Sequence, residues 1–223
     1  MRICIVSPHI DDSILSCGGF VLNMLENKEN IIHIVNVFCG IHSNDMTTIN
    51  LDRAFEERNI LPKGIITYLP IPDISQRLEK FSWDKVFLNP SDKLSNNLLT
   101  QVEKVKLAFE EHISIIDYDF VLFPIGYGDH KDHIITSLIG RTYAKKNNNI
   151  YFYRDIPYYN KGQWCEYKFK PIFRVYFELN KKLDLASQYE QGVLVGSDIL
   201  GNIINFHSSQ ENSSETFYVY NKK

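Results

Sequence analysis

Two short clusters carry the ionisable groups that could do chemistry together: His9-Ile10-Asp11-Asp12 and His130-Lys131-Asp132-His133. Imidazole nitrogen and carboxylate oxygen are ordinary zinc ligands, and a catalytic zinc takes three protein ligands and keeps a position for water. Adjacent carboxylates such as Asp11 and Asp12 repel one another unless a proton or a cation lies between them. Each cluster alone has a plainer reading, since an Asp-Asp pair is a common helix N-cap and a histidine-rich turn is often only solvated. Together, although more than about a hundred residues apart in the chain, they can supply the three ligands of one metal site.

The elements around them bear on that. The first cluster follows an apolar run, Ile3 to Val6, which reads as a strand stopped by Ser7 and Pro8, and it precedes a helix expected from about Asp12 to Glu26. The second follows a short apolar strand, Asp119 to Pro124, and the loop "GYGDHKDH", and leads into a helix expected from about Ile134 to Lys146. Other strands are expected at Ile31 to Phe38, Ile65 to Leu69, Ile150 to Tyr153 and within "IFRVYFEL". Helices are expected at about Leu51 to Ile60, Leu94 to Ile116 and Asn180 to Gln191, with Gly40 to Asn50 a polar loop, Pro70 to Pro90 irregular and a polar tail at the end. Short strands that are apolar throughout and alternate with helices argue for a mostly parallel sheet covered on both faces, an α/β, Rossmann-like three-layer sandwich. Such sheets bind ligands beyond the carboxyl ends of their strands. Both clusters fall on that edge. With no repeat or linker, residues 1–223 read as one unit, a core over about 1–150 and an elaboration over 151–223.

Bulk composition narrows the function classes. A net charge of −3 offers no general attraction to nucleic acid or anionic membrane. No apolar run approaches the length of a membrane span or a signal-peptide core, so a cytoplasmic protein is expected. Cys4, Cys17, Cys39 and Cys165 form no C-x-x-C pair and read as reduced, structural residues. A dinucleotide-binding module is disfavoured because "SPHIDDS", not a G-x-G-x-x-G loop, follows the first strand.

At "PHIDDS" and "HKDH" the sequence resembles the LmbE-like, or PIG-L-like, zinc-dependent N-deacetylases, whose signature is a P-H-x-D-D-E turn after the first strand and a later H-x-D-H. The flanking "LSCGG", Arg53, Glu56, Asp73 and "GYG" extend the likeness over roughly the first 150 residues. The resemblance implies metal ligands at His9, Asp12 and His133 and a general base at Asp11. It also implies a protonated His130, oriented by Asp132, that stabilises the oxyanion or protonates the leaving amine, and a substrate contact from Arg53; Tyr127, close in sequence to the second cluster, is a further candidate for reaching the oxyanion. The cofactor would be Zn2+ or another divalent metal such as Fe2+, and the substrate an N-acylated, in the first place N-acetylated, amino sugar or glycoconjugate precursor. Two departures stand out: Ser13 occupies the position of the signature glutamate, and Asp129 lengthens the loop before His130. An amidase acting on a non-sugar N-acyl metabolite and a non-catalytic binding relative are the alternatives. His42 and the aromatics of "IYFYRDIPYYNKGQW" read more simply as a loop residue and as core than as parts of a sugar-binding wall.

Overall fold

A computed structural model describes residues 1–40, 48–61, 64–77, 83–87, 95–156, 158, 168–189, 199–208 and 213–221, and the side chains of all of these except 48–50 and 83–84. Five strands run parallel: β1 (Arg2–Ser7), β2 (Ile31–Asn36), β3 (Ile65–Tyr68), β4 (Phe120–Pro124) and β5 (Ile150–Tyr153). Two more, β6 (Phe169–Tyr176) and β7 (Ser214–Tyr220), complete a seven-stranded sheet in the order β3-β2-β1-β4-β5-β7-β6, with β7 antiparallel to both neighbours.

The alternation of side chains along each strand divides the core into two layers. On β1, Cys4 and Val6 face one apolar cluster, whereas Ile3 and Ile5 face the other. On β4, Val121 and Phe123 take the first side and Leu122 the second. The first layer is closed by α5 (Asn96–His112) and α6 (Lys131–Ala144), through Leu98, Val102, Val105 and Phe109 on one and Ile134, Ile135 and Ile139 on the other. The second is closed by α1 (Asp12–Glu26), α2 (Thr48–Ile60), α7 (Leu179–Ala186) and α8 (Ile199–Ser208). The result is the expected α/β architecture with a mostly parallel sheet. Two short helices, α3 (Ile74–Arg77) and α4 (Trp83–Val86), punctuate the stretch read as irregular. Among the described residues no helix is long and apolar enough to cross a membrane.

Two differences from the sequence expectation matter. The last segment is not a polar tail: α8 buries Ile203 and Phe206, and β7 inserts Phe217 and Tyr218 into the two cores. Its alternation of aromatic and β-branched residues suits a strand with both faces covered. Secondly, α6 begins at Lys131, three positions before the expected Ile134, with His130 as its N-cap. This change puts the second cluster on the first turn of a helix instead of in a loop.

The α1 helix carries a break at Cys17 (φ −120°, ψ 15°). The backbone N–H groups of Gly19 and Phe20 donate to the two carboxylate oxygens of Glu215 on β7, at 3.0 and 2.7 Å. The same carboxylate lies 2.6 Å from the Lys182 ammonium of α7, and both side chains are buried. Two N–H donors and a cation offset much of the cost of taking this carboxylate out of water, and the break in α1 is plugged by a hydrogen-bonded ion pair.

Candidate metal centre

The order of the parallel strands reverses between β1 and β4, and the loops leaving these two strands at their carboxyl ends carry the two clusters. A crevice forms at such a reversal because successive connections depart to opposite faces. The β1 loop is drawn tight: Ser7 Oγ donates to the His9 carbonyl at 2.6 Å and accepts the Ser13 N–H at 3.0 Å. The turn drives Asp11 to φ 112°, a conformation that L-residues rarely adopt and that costs on the order of 1–3 kcal/mol. Strain of this kind persists only where the surroundings hold it. Here two N–H groups of α1, from Ile14 and Leu15, donate to the Asp11 carbonyl at 3.0 Å each.

On the β4 side, Gly126 (φ 90°) and Gly128 (φ 81°) let the loop double back into α6. A Cβ on Gly128 would stand 2.5 Å from Cβ of Tyr158, five residues beyond β5, so the two fit together only with glycine there.

These elements bring His9, Asp12 and His133 together, with one ligand atom from each within 4.8 Å of the others. His9 Nδ1 is 3.1 Å and His133 Nε2 3.2 Å from the same oxygen, Asp12 Oδ2. His133 Nε2 is buried and, despite that proximity, forms no hydrogen bond among the described residues. A buried imidazole nitrogen without a hydrogen-bond partner, converging with a second imidazole on a carboxylate, fits the donor set of a divalent transition metal. The other ring nitrogen, Nδ1, lies 2.7 Å from Asp155 Oδ1, and the second oxygen of Asp155 accepts the N–H groups of Gly126 and Tyr127 at 2.9 and 3.1 Å. That arrangement assigns the proton of neutral His133 to Nδ1 and turns Nε2 toward Asp12.

The electrostatics suit a cation. Burial works to lower the pKa of His9 and His133, but neighbouring carboxylates outweigh it: Asp12 and Asp132 raise His9 well above its usual value, and Asp12 with Asp155 raises His133 to about 9. Burial acts against ionised Asp12 too, yet the His133 charge beside it holds its carboxyl far below the usual range. A metal can therefore take the place of protons that this cluster otherwise gathers between its carboxylates. Asp11 joins none of the ligand groups. Burial pushes its carboxyl up to about 6 against the opposing pull of Arg53, whose guanidinium is 3.9 Å away.

Other predicted residues take different positions from those expected. Asp132 does not turn to His130. Its carboxylate, fully buried, contacts His9 Nε2 at 3.2 Å, accepts the Ile74 N–H at 2.9 Å and pairs with Arg77, so it orients His9 instead. His130 is held neutral, not protonated, because burial and then the charges of His9 and His133 press its pKa well below the usual value. Its ring packs between His9, His133, Phe87 and Tyr158 at centroid distances of 5.0 to 5.9 Å. Arg53 reaches Asp11, and the Tyr127 ring belongs to the apolar core while its backbone N–H donates to Asp155. Ser13 is buried, and its Oγ has no hydrogen-bond partner among the described residues. His42 and most of the loop from Gly40 to Asn50 lie outside the described residues, as do Tyr159, Trp164 and Cys165.

Asp155, Arg77 and Tyr158 are the site residues that sequence reasoning passed over. Asp155 could have been found as the first carboxylate after a strand at the same edge, and Tyr158, 4.9 Å from the His133 ring, as one of the aromatics following it.

No family model matches the sequence, and no curated protein matches it by sequence. The folded chain, however, superposes on solved structures over nearly its whole length. The fold is that of known deacetylases. A teicoplanin deacetylase in complex with teicoplanin aligns with a TM-score of 0.71 at 16% identity, covering 98% of each chain, and its zinc-inhibited form gives 0.67 at 18%, covering 98% of this chain and 97% of that one. The N,N'-diacetylchitobiose deacetylase of Pyrococcus horikoshii gives 0.58 at 14%, covering 99% of this chain and 84% of that one. The same fold also serves a 4-carboxy-2-hydroxymuconate hydratase of Pseudomonas putida, with a TM-score of 0.61 at 12% identity, covering 100% and 97%. At such identities the likeness establishes the fold, and the chemistry has to be argued from the site.

Proposed function

We propose that the protein is a metal-dependent hydrolase that removes an N-acyl group, acetyl in the first instance, from an amino sugar or glycoconjugate precursor. The observation that carries this reading is the convergence of His9, Asp12 and His133 around an imidazole nitrogen that makes no hydrogen bond among the described residues, with Asp11 beside them outside the ligand set. His9, Asp12 and His133 would hold a divalent cation, Zn2+ or a substitute such as Fe2+. Such a cation, when bound, acidifies water and polarises an amide carbonyl.

The remaining steps belong to the chain. Asp11 accepts the proton of the attacking water, a role for which a carboxyl raised toward neutrality is suited. Arg53, 3.9 Å from Asp11, would restrain its carboxylate. Neutral His130, packed against both ligand histidines, would donate its N–H to the carbonyl oxygen, and Asp11 would return the proton taken from water to the departing nitrogen. Water and amide are consumed, and a carboxylic acid and a free amine are released. The reading treats residues 1–223 as one working unit in the cytoplasm, with Cys4, Cys17 and Cys39 buried and free.

The test is a panel of N-acetylated sugars, sugar derivatives and simple N-acyl amines, incubated with metal-loaded protein and assayed for primary amine and carboxylic acid in equal amounts. Turnover of sugars is the expected result. Turnover confined to the non-sugar amides would favour an amidase. Addition of water to a carbon–carbon double bond, with no amine released, would overturn the proposal in favour of the chemistry carried by the hydratase of this fold.

A further inference from the structure

Next to the cluster lies an open cavity of about 730 Å³, within the range of small-molecule sites. It is bounded by α3, by α5 and by the start of α6. Three of its described lining residues are cationic, Arg77, Lys104 and Lys131, and none is a carboxylate. Ser95, Asn97 and Gln101 add neutral polar groups to the lining, and Leu98 and Val105 of the same helix add apolar ones. This concentration of positive charge departs from the chain as a whole, whose net charge is −3.

The cations are only partly occupied. Lys104 is exposed on α5 and forms no ion pair among the described residues, while the Lys131 ammonium donates only to the Lys85 carbonyl, at 2.5 Å. Arg77 spends one terminal nitrogen on Asp132 and the other on Gln101, and its Nε–H is buried with no hydrogen-bond partner among the described residues. A buried donor left unpaired costs free energy that an acceptor entering the cavity recovers. The cavity is also continuous with the cluster. Lys131 lies between His130 and Asp132 in the chain, and Ile74 and Arg77, both in the lining, bond directly to Asp132.

We propose that this cavity binds an anionic group, a phosphate or a carboxylate, carried by the N-acyl substrate; the proposal rests on the reading of the site as an N-acyl hydrolase. A lining of partly occupied cations and neutral polar groups beside apolar residues suits a compact oxyanion joined to a less polar body, and cationic side chains recognise phosphate and carboxylate oxygens by charge-assisted hydrogen bonds. Substrates bearing such a group bind through it, and neutral N-acetyl sugars lack that contribution.

Binding measured without turnover tests this directly. N-acetylglucosamine 1-phosphate, N-acetylglucosamine and inorganic phosphate are titrated calorimetrically into metal-loaded Asp11→Asn protein, and again into the same protein carrying Lys104→Glu or Lys131→Gln. The sugar phosphate is expected to bind at least about tenfold more tightly than the neutral sugar, the factor that one charge-assisted hydrogen bond supplies. Lys104→Glu should abolish the difference while leaving the neutral sugar's affinity unchanged. Equal affinities for the two sugars, or a preference that survives both lysine substitutions, would overturn the proposal. Inorganic phosphate binding as tightly as the sugar phosphate, and competing with it, would assign the cavity to a free anion and overturn its attribution to the substrate. Hydrolysis does not enter the measurement, so a wild-type protein inactive on every amide would refute the hydrolase reading without erasing an anion preference.

Discussion

The imidazole of His133 and the carboxylate of Asp155 are joined at 2.7 Å inside the protein, where neither side chain reaches solvent to any useful extent. The second oxygen of Asp155 is fixed by the Gly126 and Tyr127 N–H groups, so the carboxylate cannot rotate without breaking two further bonds. Asp155→Asn is therefore expected to weaken divalent metal binding by about 10- to 100-fold, the usual scale for the partner of a ligand histidine. Competition against a chromogenic chelator measures it, with circular dichroism as the control on folding. An unchanged affinity would show that His133 needs no such orientation.

His133→Ala removes the ligand outright. The purified variant should hold far less zinc or iron than wild type by elemental analysis, and equal metal in the two would move the centre elsewhere, most directly to the neighbouring grouping of His9, His130 and Asp132.

Asp11→Asn should keep its metal and lose about 10²-fold or more in kcat, since an amide cannot accept the proton that the carboxylate takes. The residue also carries positive φ, and asparagine tolerates that backbone as aspartate does. Undiminished turnover at full metal occupancy would transfer the base to another carboxylate.

Glu57 gives a further pH dependence, to which the charge of Asp11 adds. It is wholly buried and contacts Asn36 at 2.6 Å and Tyr189 at 3.4 Å. Burial raises its carboxyl to about 8, above the ordinary value of 4.5 that it regains on unfolding. The folded state thus binds the extra proton between those values. The stabilisation it brings is complete below about 4.5, shrinks as pH rises, and is lost through 8. Glu57→Gln mimics the protonated form, so its melting temperature should fall less than that of wild type between pH 6 and pH 9. Parallel melting curves across that range would show that Glu57 is not the group responsible.

Glu215→Gln leaves Lys182 buried beside a neutral amide. The expected loss is about 3–5 kcal/mol of unfolding free energy, the scale for breaking one side of a buried pair. Denaturant titration reads it, and replacing both residues, as Lys182→Met with Glu215→Gln, should recover part of the loss. A loss of the same size in the double variant would mean that the contacts of Glu215 with Gly19 and Phe20, and not the ion pair, hold the break in α1.

Much of this arrangement could be read before any coordinates. The five parallel strands announced themselves as short apolar runs, and the two clusters could be grouped because each followed such a run into a helix, whereas the choice of His9, Asp12 and His133 within them came from the resemblance. What escaped were properties fixed by distant contacts. Asp132 reads like a partner for His130 two positions earlier, but on the first turn of α6 its side chain meets His9 and Arg77 from other elements. Asp155 belongs to no motif, and its role exists only because β5 pairs with β4 beside the loop it supports. The stretch containing β7 begins among polar residues, and local hydrophilicity hid a strand whose burial depends on β5 and β6.

The place of β7 sets an order on synthesis. Every residue assigned to the metal centre precedes residue 159, yet the strand that fills the gap between β5 and β6 and supplies Glu215 to the first helix spans Ser214–Tyr220. At roughly 5–20 residues per second, a ribosome emits the intervening segment over several seconds. Throughout that interval the outer side of β5 is an unpaired edge, open to association with other chains. The broken helix that presents Asp11 and Asp12 also waits for its carboxylate. The nascent protein thus holds all the residues of its metal centre before it holds the strand that makes their scaffold rigid, and shortening the chain to before residue 214 should remove metal binding without touching a single ligand.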